Sequence, residues 1–450
     1  MVDHRDHRIA GLRHLVLETG GRGIDGIEII RITVNDPDFD YTIGSSVAEF
    51  EITYVGGCPR ELSTFQWYAG SELVCNDGGL GDPGNPDNLI WNADPTGSLG
   101  SIIYDGGFFV VADEPIVRRT FFDVRNEFIP DLTPTGICGF DEYHDVPLGT
   151  YRSGGIPGTP VTITGDVIVS SYIDTNVNAT PGTPEAAIGL DITQTEIGAH
   201  DALYGDFKLI RWQLRERNGN ALSDLHAGSF IDWDAPPDYG ANLAALWPHT
   251  VNGYAIWDEN TPSYAYGMLD PHQYALYINV DPTAHPVHGI AGIDHNGRGI
   301  DPGSPESFWD AVVNMSSTFV NDGTGDRAVM LTHQAFDIPP YGTTAIHQAL
   351  YGMPALNGWV DQALMEAQAM SIAARAARWG GFARGDVNDD GRVDLGDVLW
   401  LVLGYPIYPD DYCGDVNIDG IVDQADIDQL MAWVSGDHTA QPRGEWRFEF

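Results

Sequence analysis

Residues Gly385 to Asp397 read GDVNDDGRVDLGD, and 29 positions further on Gly414 to Asp426 read GDVNIDGIVDQAD. In both copies oxygen-bearing side chains fall at loop positions 1, 3, 5, 9 and 12. They are Asp386, Asn388, Asp390, Asp394 and Asp397 in the first loop, and Asp415, Asn417, Asp419, Asp423 and Asp426 in the second. Calcium is a hard cation that takes about six to eight oxygens, so a short loop around it must turn alternate side chains inward. Position 7, Arg392 and Ile421, offers its backbone carbonyl, while Gly391 and Gly420 permit the sharp turn at midpoint. Each loop runs straight into an apolar helix, expected over Asp397–Leu403 and Asp426–Val434. Two calcium ions are therefore expected in a small α-helical module over 385–436.

Ahead of the module, Leu356 to Trp379 is alanine-rich, with apolar residues every three to four positions and a stop at Gly380-Gly381. This predicts one amphipathic helix over 356–381, its apolar side packed on the body. The body itself is expected to be mainly β. Gly26–Val34, Ala48–Val55 and Phe108–Ala112 are rich in β-branched and aromatic residues between Asp, Gly and Pro. The same pattern continues through Val161–Ile173, Ala187–Thr193, Phe207–Arg215, Ser229–Trp233, Tyr254–Trp257, Tyr274–Val280 and Ala328–Thr332, and Asp77–Asn88 reads as a loop. The Gly/Pro-rich passage Gly149–Pro160 reads as a seam, which gives β-sandwiches over 24–150 and 161–355. An N-terminal segment, 1–23, and a tail, 437–450, remain. Leu12–Glu18 and Gly444–Phe450 alternate like strands that either close a sheet at home or pair with a neighbouring copy.

The chain carries 65 acidic residues against 22 basic ones, for a net charge of −43, and Lys208 is its one lysine. A field of that sign repels nucleic acid and attracts divalent cations. No stretch approaches the ~20 apolar residues of a membrane span. Met1–Gly20 lacks the apolar core of a signal peptide, so export is expected to use a processed leader or another route. Cys58, Cys75, Cys138 and Cys413 have no zinc spacing, leaving disulfides or buried thiols; three full pairings are open to four cysteines, and Cys58 with Cys75, across a short hairpin, is the preferred pair.

The doubled loop and the missing entering helix resemble a type I dockerin over about Gly385 to Gly436. The resemblance implies a module that folds on calcium and docks a cohesin-type domain. Partner choice in that family leans on loop positions 10 and 11, often hydroxyl-bearing, and here these are Leu395-Gly396 and Gln424-Ala425. A structural calcium clamp on the same chain or a neighbouring copy is equally open. FIDWD at Phe230–Asp234, the Tyr-rich Tyr264–Tyr266 and FDIPPYGTTAIHQALYG at Phe336–Gly352 loosely resemble secreted bacterial surface proteins with a β-sandwich ahead of a sorting or docking module.

The chain has no Gly-x-Ser-x-Gly elbow, no His-Glu-x-x-His and no phosphate-cradling loop, and no Gly-x-Gly-x-x-Gly that runs from a strand into a helix as a dinucleotide fingerprint requires. A glycosidase needs only two carboxylates that meet in space, and Asp258-Glu259 is one arbitrary pair. His285 with His288, or His4 with His7, lack a third metal ligand. The acidic turns Asn35–Asp40, Asp294–Asp301 and Asn321–Asp326 are further places for an ion. The reading is an extracellular, non-catalytic structural or cell-surface protein that self-assembles into a fibre or layer. A dockerin-bearing glycan-active enzyme or glycan-binding subunit, and a cohesin-docked adhesin, are the alternatives.

Overall fold

The computed structural model describes residues 14–20, 27–34, 50–53, 58–82, 88–91, 101–112, 118–120, 128–153, 159–174, 188–202, 204–234, 242–258, 272–294, 312–315, 327–355, 362–382, 384–388, 393–404, 413–417, 422–437, 442, 446, 448 and 450. Its strands pair antiparallel throughout and form four sheets. At the N-terminus β1 (His14–Gly20), β2 (Ile27–Val34) and β3 (Phe50–Thr53) make a three-stranded meander, so the first strand pairs within its own chain. A second small sheet holds β4 (Leu62–Gln66), β5 (Gly70–Cys75) and β6 (Leu89–Trp91).

The next strands are β7 (Ile103–Ala112), β8 (Arg118–Thr120), β9 (Phe128–Pro130), β10 (Asp141–Ser153), β11 (Thr159–Asp174), β12 (Leu190–Ala199), β13 (Phe207–Glu216) and β14 (Leu222–Trp233). They are followed by β15 (Asn242–Trp247), β16 (Gly253–Asp258), β17 (His272–Asn279), β18 (Val287–Asp294), β19 (Arg327–His333), β20 (Phe336–Ile338) and β21 (Thr343–Ala355). A nine-stranded sheet runs β10-β11-β12-β13-β21-β17-β16-β15 with β9 beside β11. A six-stranded sheet runs β18-β19-β14-β7-β8 with β20 beside β14.

Side chains alternate across a strand, and both faces of the large sheet are apolar. Ile210, Trp212 and Leu214 of β13 face the six-stranded sheet, while Phe207 and Leu209 face the other way. Between the sheets Phe108 stacks on Trp212 at 4.9 Å, and the Trp233 Nε1–H donates to the Tyr254 hydroxyl at 3.3 Å. Truncating a ring such as Trp212 here costs about 3–5 kcal/mol. The outer face is covered by helix α1 (Gln362–Gly380), whose Met365, Ala369, Ile372, Ala376 and Trp379 recur at helical spacing. The helix ends with Gly381 at φ +96°, and the Phe382 N–H donates to the Ala377 carbonyl at 2.7 Å, a left-handed stop suited to glycine.

Three expectations are corrected. The seam at Gly149–Pro160 is instead spanned by a β10–β11 hairpin whose ladder continues from Tyr151↔Val161 to Ser153↔Thr159. Strand β7, from the expected first unit, pairs along its length with β14 of the second, so strands from both sides of the seam share sheets and one core. Alternation marks strands but not which distant strand each one joins. The disulfide is Cys58–Cys138, not Cys58–Cys75. The Cys58 N–H is held by the Pro130 carbonyl at 2.9 Å, which carries it beside the stretch leading to Cys138, whereas Cys75 lies in β5 opposite Leu62, a buried thiol, as Cys413 is. The tail is not a strand at its described positions. Trp446 stacks on His347 at 5.0 Å, Phe448 meets Trp379 edge-on at 5.5 Å and Phe450 packs on Tyr143 at 5.7 Å, all on the α1 side of the large sheet.

Candidate metal centre

The two copies of the C-terminal repeat make equivalent contacts. Helices α2 (Leu395–Gly404) and α3 (Gln424–Val434) each begin two residues before the expected start. A small core joins them, built from equivalent positions of the two copies: Val387 with Val416, Val398 with Ile427, and Leu401 with Leu430. The loop ends are closed by the position-12 carboxylates, both fully buried. Asp397 Oδ1 accepts from Val387 N at 2.7 Å and Asn388 N at 3.0 Å, and Oδ2 from Asp394 N at 2.7 Å. In the second copy Asp426 Oδ1 accepts from Val416 N at 2.8 Å and Asn417 N at 3.1 Å, and Oδ2 from Asp423 N at 2.8 Å. An ionised carboxylate has about four lone-pair sites, so three N–H donors leave capacity for one more contact.

Position 9 performs a second local task. Asp423 caps α3 by accepting from Ala425 N at 2.7 Å and forms a reciprocal capping box with Asp426. Asp394 accepts likewise from Gly396 N at 2.6 Å. A Cβ on Gly396 would come within 2.9 Å of both Asn388 Nδ2 and Asp394 Oδ1, the ends of two side chains that turn toward this position.

Asp386 and Asp415, at position 1, are 2% and 8% exposed. Burial pushes the Asp426 carboxyl above its ordinary value against the pull of its three N–H donors. The candidate ligand atoms are oxygens alone, from Asp and Asn side chains, and several are withdrawn from water, a set that fits a hard divalent cation. Asp390, Arg392, Asp419 and Ile421 lie outside the described residues, as do His4, His7, Tyr264–Tyr266, Glu259, Asn35–Asp40, residues 295–301 and Asn321–Asp326.

Two arginines and one exposed face were not anticipated. Arg384, 5% exposed, donates to the Asp415 carbonyl and lies 3.3 Å from its Oδ2, so a residue just before loop one is tied to the start of loop two. Arg378, in the last turn of α1, donates to the carbonyls of Asp386 and Val387 at 3.3 and 3.4 Å. No spacing rule pairs an arginine with a carbonyl on another element. On α2, Leu395, Leu399, Trp400, Val402 and Leu403 are all 40–70% exposed, an apolar stripe left outside the small core.

The histidines suggested by sequence serve the body. The His285 and Thr344 side chains share a hydrogen bond of 2.8 Å between Nε2 and Oγ1, His285 packs edge-on to Phe336 at 4.9 Å, and desolvation pushes its imidazole down to about 4. His288 Nε2 reaches the Val313 carbonyl at 3.1 Å, so the two rings hold separate partners. Asp258 ends β16 opposite Asn242.

No protein-family model matches the chain, and no curated protein matches it in sequence. Its fold was also compared with solved structures. The heparan sulfate lyase HepC from Pedobacter heparinus gives a TM-score of 0.22 at 8% identity, over 52% of this chain and 24% of that one, and a mutant of the same enzyme gives 0.23. A polysaccharide lyase gives 0.26 at 10% identity, over 67% of this chain and 33% of that one. The chain thus spans between a quarter and a third of the length of the solved proteins it matches, at a level of likeness too low to carry an argument about activity.

Proposed function

We propose that this chain is an extracellular, non-catalytic structural or surface protein, in which a β-sandwich body carries a dockerin-like module that folds around two calcium ions and joins copies of the chain. The observation that carries the reading is the repeated closure of both loops by a buried aspartate on equivalent N–H groups, with matched distances in the two copies. Asp386, Asn388, Asp394 and Asp397, with Asp390 and the Arg392 carbonyl, would hold one ion. Asp415, Asn417, Asp423 and Asp426, with Asp419 and the Ile421 carbonyl, would hold the other. Such ligand rings repel one another without metal, so binding energy becomes folding energy. A disulfide and a calcium requirement both suit the outside of the cell. The apolar stripe on α2 is the docking face this reading needs.

Isothermal titration calorimetry of the full chain tests it, with two calcium ions expected for the natural sequence and one for either Asp386→Ala or Asp415→Ala. Stoichiometry below two, or loss of neither ion in the variants, ends the calcium reading. Electron microscopy and sedimentation with calcium, then with chelator, test assembly separately. Monomers in both conditions would remove self-assembly and leave a calcium module that docks on another protein.

A further inference from the structure

A second group of metal-ligating side chains lies at one end of the nine-stranded sheet. Tyr143 of β10 pairs with Val167 and Val146 with Gly165, so His144 and Asp145 together stand opposite the single residue Asp166 of β11. A bulge of this kind bends its strand and re-aims the side chains on it. Asp145 takes a left-handed φ of +52°, and its N–H donates to Asp166 Oδ1 at 3.0 Å. His200 follows the last residue of β12, with its N–H held by the Thr164 carbonyl at 2.8 Å. Three adjacent strands therefore converge, and one ligand atom each from Asp145, Asp166 and His200 lie within 4.8 Å of one another.

The His200 ring sits between two carboxylates, with Nε2 3.2 Å from Asp166 Oδ1 and Nδ1 3.4 Å from Asp145 Oδ1. Each ring nitrogen thus faces a carboxylate oxygen, and a cation placed between the Nε2 lone pair and Asp166 Oδ1 would be shared by both. The 3.2 Å separation is close to the ~3.3 Å edge of a tetrahedron with bonds of about 2.0–2.1 Å to nitrogen and oxygen. Asp166 is also held from behind. His144 Nδ1 lies 3.2 Å from its Oδ2, and His144 Nε2 lies 3.6 Å from Glu142 Oε2, while the Ser63 hydroxyl donates to Glu142. Outer partners of this sort fix the orientation of a metal ligand.

We propose that Asp145, Asp166 and His200 bind a borderline divalent metal ion of the zinc or cobalt class, with solvent completing its coordination and His144 positioning Asp166. An imidazole between two carboxylates selects such an ion over calcium, whose sites are built of oxygen. The site is independent of the C-terminal repeat and does not rest on the calcium reading.

The full chain in excess calcium, which leaves all-oxygen sites to calcium, is titrated with cobalt(II) and followed by its visible absorption. One cobalt per chain is expected, with affinity at least tenfold weaker in His200→Ala and in Asp166→Asn and unchanged in His249→Ala, an exposed histidine at the turn after β15. Zinc should displace the cobalt. No cobalt uptake in excess calcium, or His200→Ala binding as tightly as the natural sequence, overturns the proposal. A measurement free of variants runs beside it: the His200 and His144 ring proton resonances should shift and broaden on cobalt addition, and unperturbed signals overturn the proposal equally.

Discussion

The body and the C-terminal repeat both bury carboxylates, with opposite means of support. In the body Lys208 reaches Glu72 and Glu196, all three at 0% exposure, with Glu196 Oε2 2.5 Å from Nζ. Gln194 joins the group by donating to Glu196 Oε1 at 2.7 Å and accepting from Trp212 Nε1 at 2.9 Å. The cation is built into the fold and is wrapped by a core of several dozen apolar side chains. In the repeat Asp397 and Asp426 close on backbone N–H groups around a core of seven buried residues. Self-contained charge compensation goes with a large core, while the repeat gathers acids around little apolar surface and, on the function proposed above, would take its cation from outside. That contrast says which conditions should unfold which region.

Chelation gives the largest expected separation. With calcium withdrawn, amides of residues 385–436 should exchange at unprotected rates by hydrogen-exchange mass spectrometry while β11 to β14 stay protected. Equal loss in both regions would mean that the body leans on the repeat. Next comes Lys208→Met, which leaves two buried carboxylates without their cation and should destabilise the body by about 3–5 kcal/mol in denaturant melts, with calcium stoichiometry unchanged. Replacing both Cys58 and Cys138 by serine opens a link across 80 positions and should cost about 2–5 kcal/mol, again in the body alone.

The smallest effect concerns pH. Burial pushes His333 down to about 3 and His285 to about 4, so the unfolded chain takes up their protons first. Their contribution is present above the unfolded value of about 6.5 and is lost as pH falls toward 4, at about 2 kcal/mol each by pH 5. Glu72 has the opposite sign. Desolvation pushes it up to about 7, so the folded chain holds its proton more tightly and gains stability as pH falls from 7 toward 4.5. Glu72→Gln removes that offset, and its melting temperature should fall more steeply between pH 7.5 and 5 than that of the natural sequence. Parallel slopes would show that Glu72 does not titrate in this window.

What could be read in the sequence was what repeats over short spans. The strands at Phe207–Glu216 and Arg327–His333 announce themselves by β-branched and aromatic runs, and the calcium-type loops by their spacing. Pairings between distant segments were not legible. Nothing near Cys58 points to Cys138, and nothing in β7 points to β14, since both depend on how far apart in sequence two neighbours in space are. The cluster of Asp145, Asp166 and His200 was hidden for the same reason. A one-residue bulge between Tyr143 and Val146 aims its members together, and a register irregularity leaves no mark in composition. The ten expected ligand positions of the repeat lie within two dozen loop residues, whereas this cluster draws on three strands.

The placement of Lys208 has a chemical consequence. The chain has a single lysine, and its ammonium group lies under Trp67 and between two carboxylates, out of reach of solvent. The folded protein therefore presents no side-chain amine to acylating reagents, and a succinimide ester that modifies Lys208 does so only after the β5–β12–β13 region has opened. The rate of that single acylation is a direct clock for opening of the core, readable by mass on one peptide, in a protein whose assemblies would also be invisible to lysine cross-linkers.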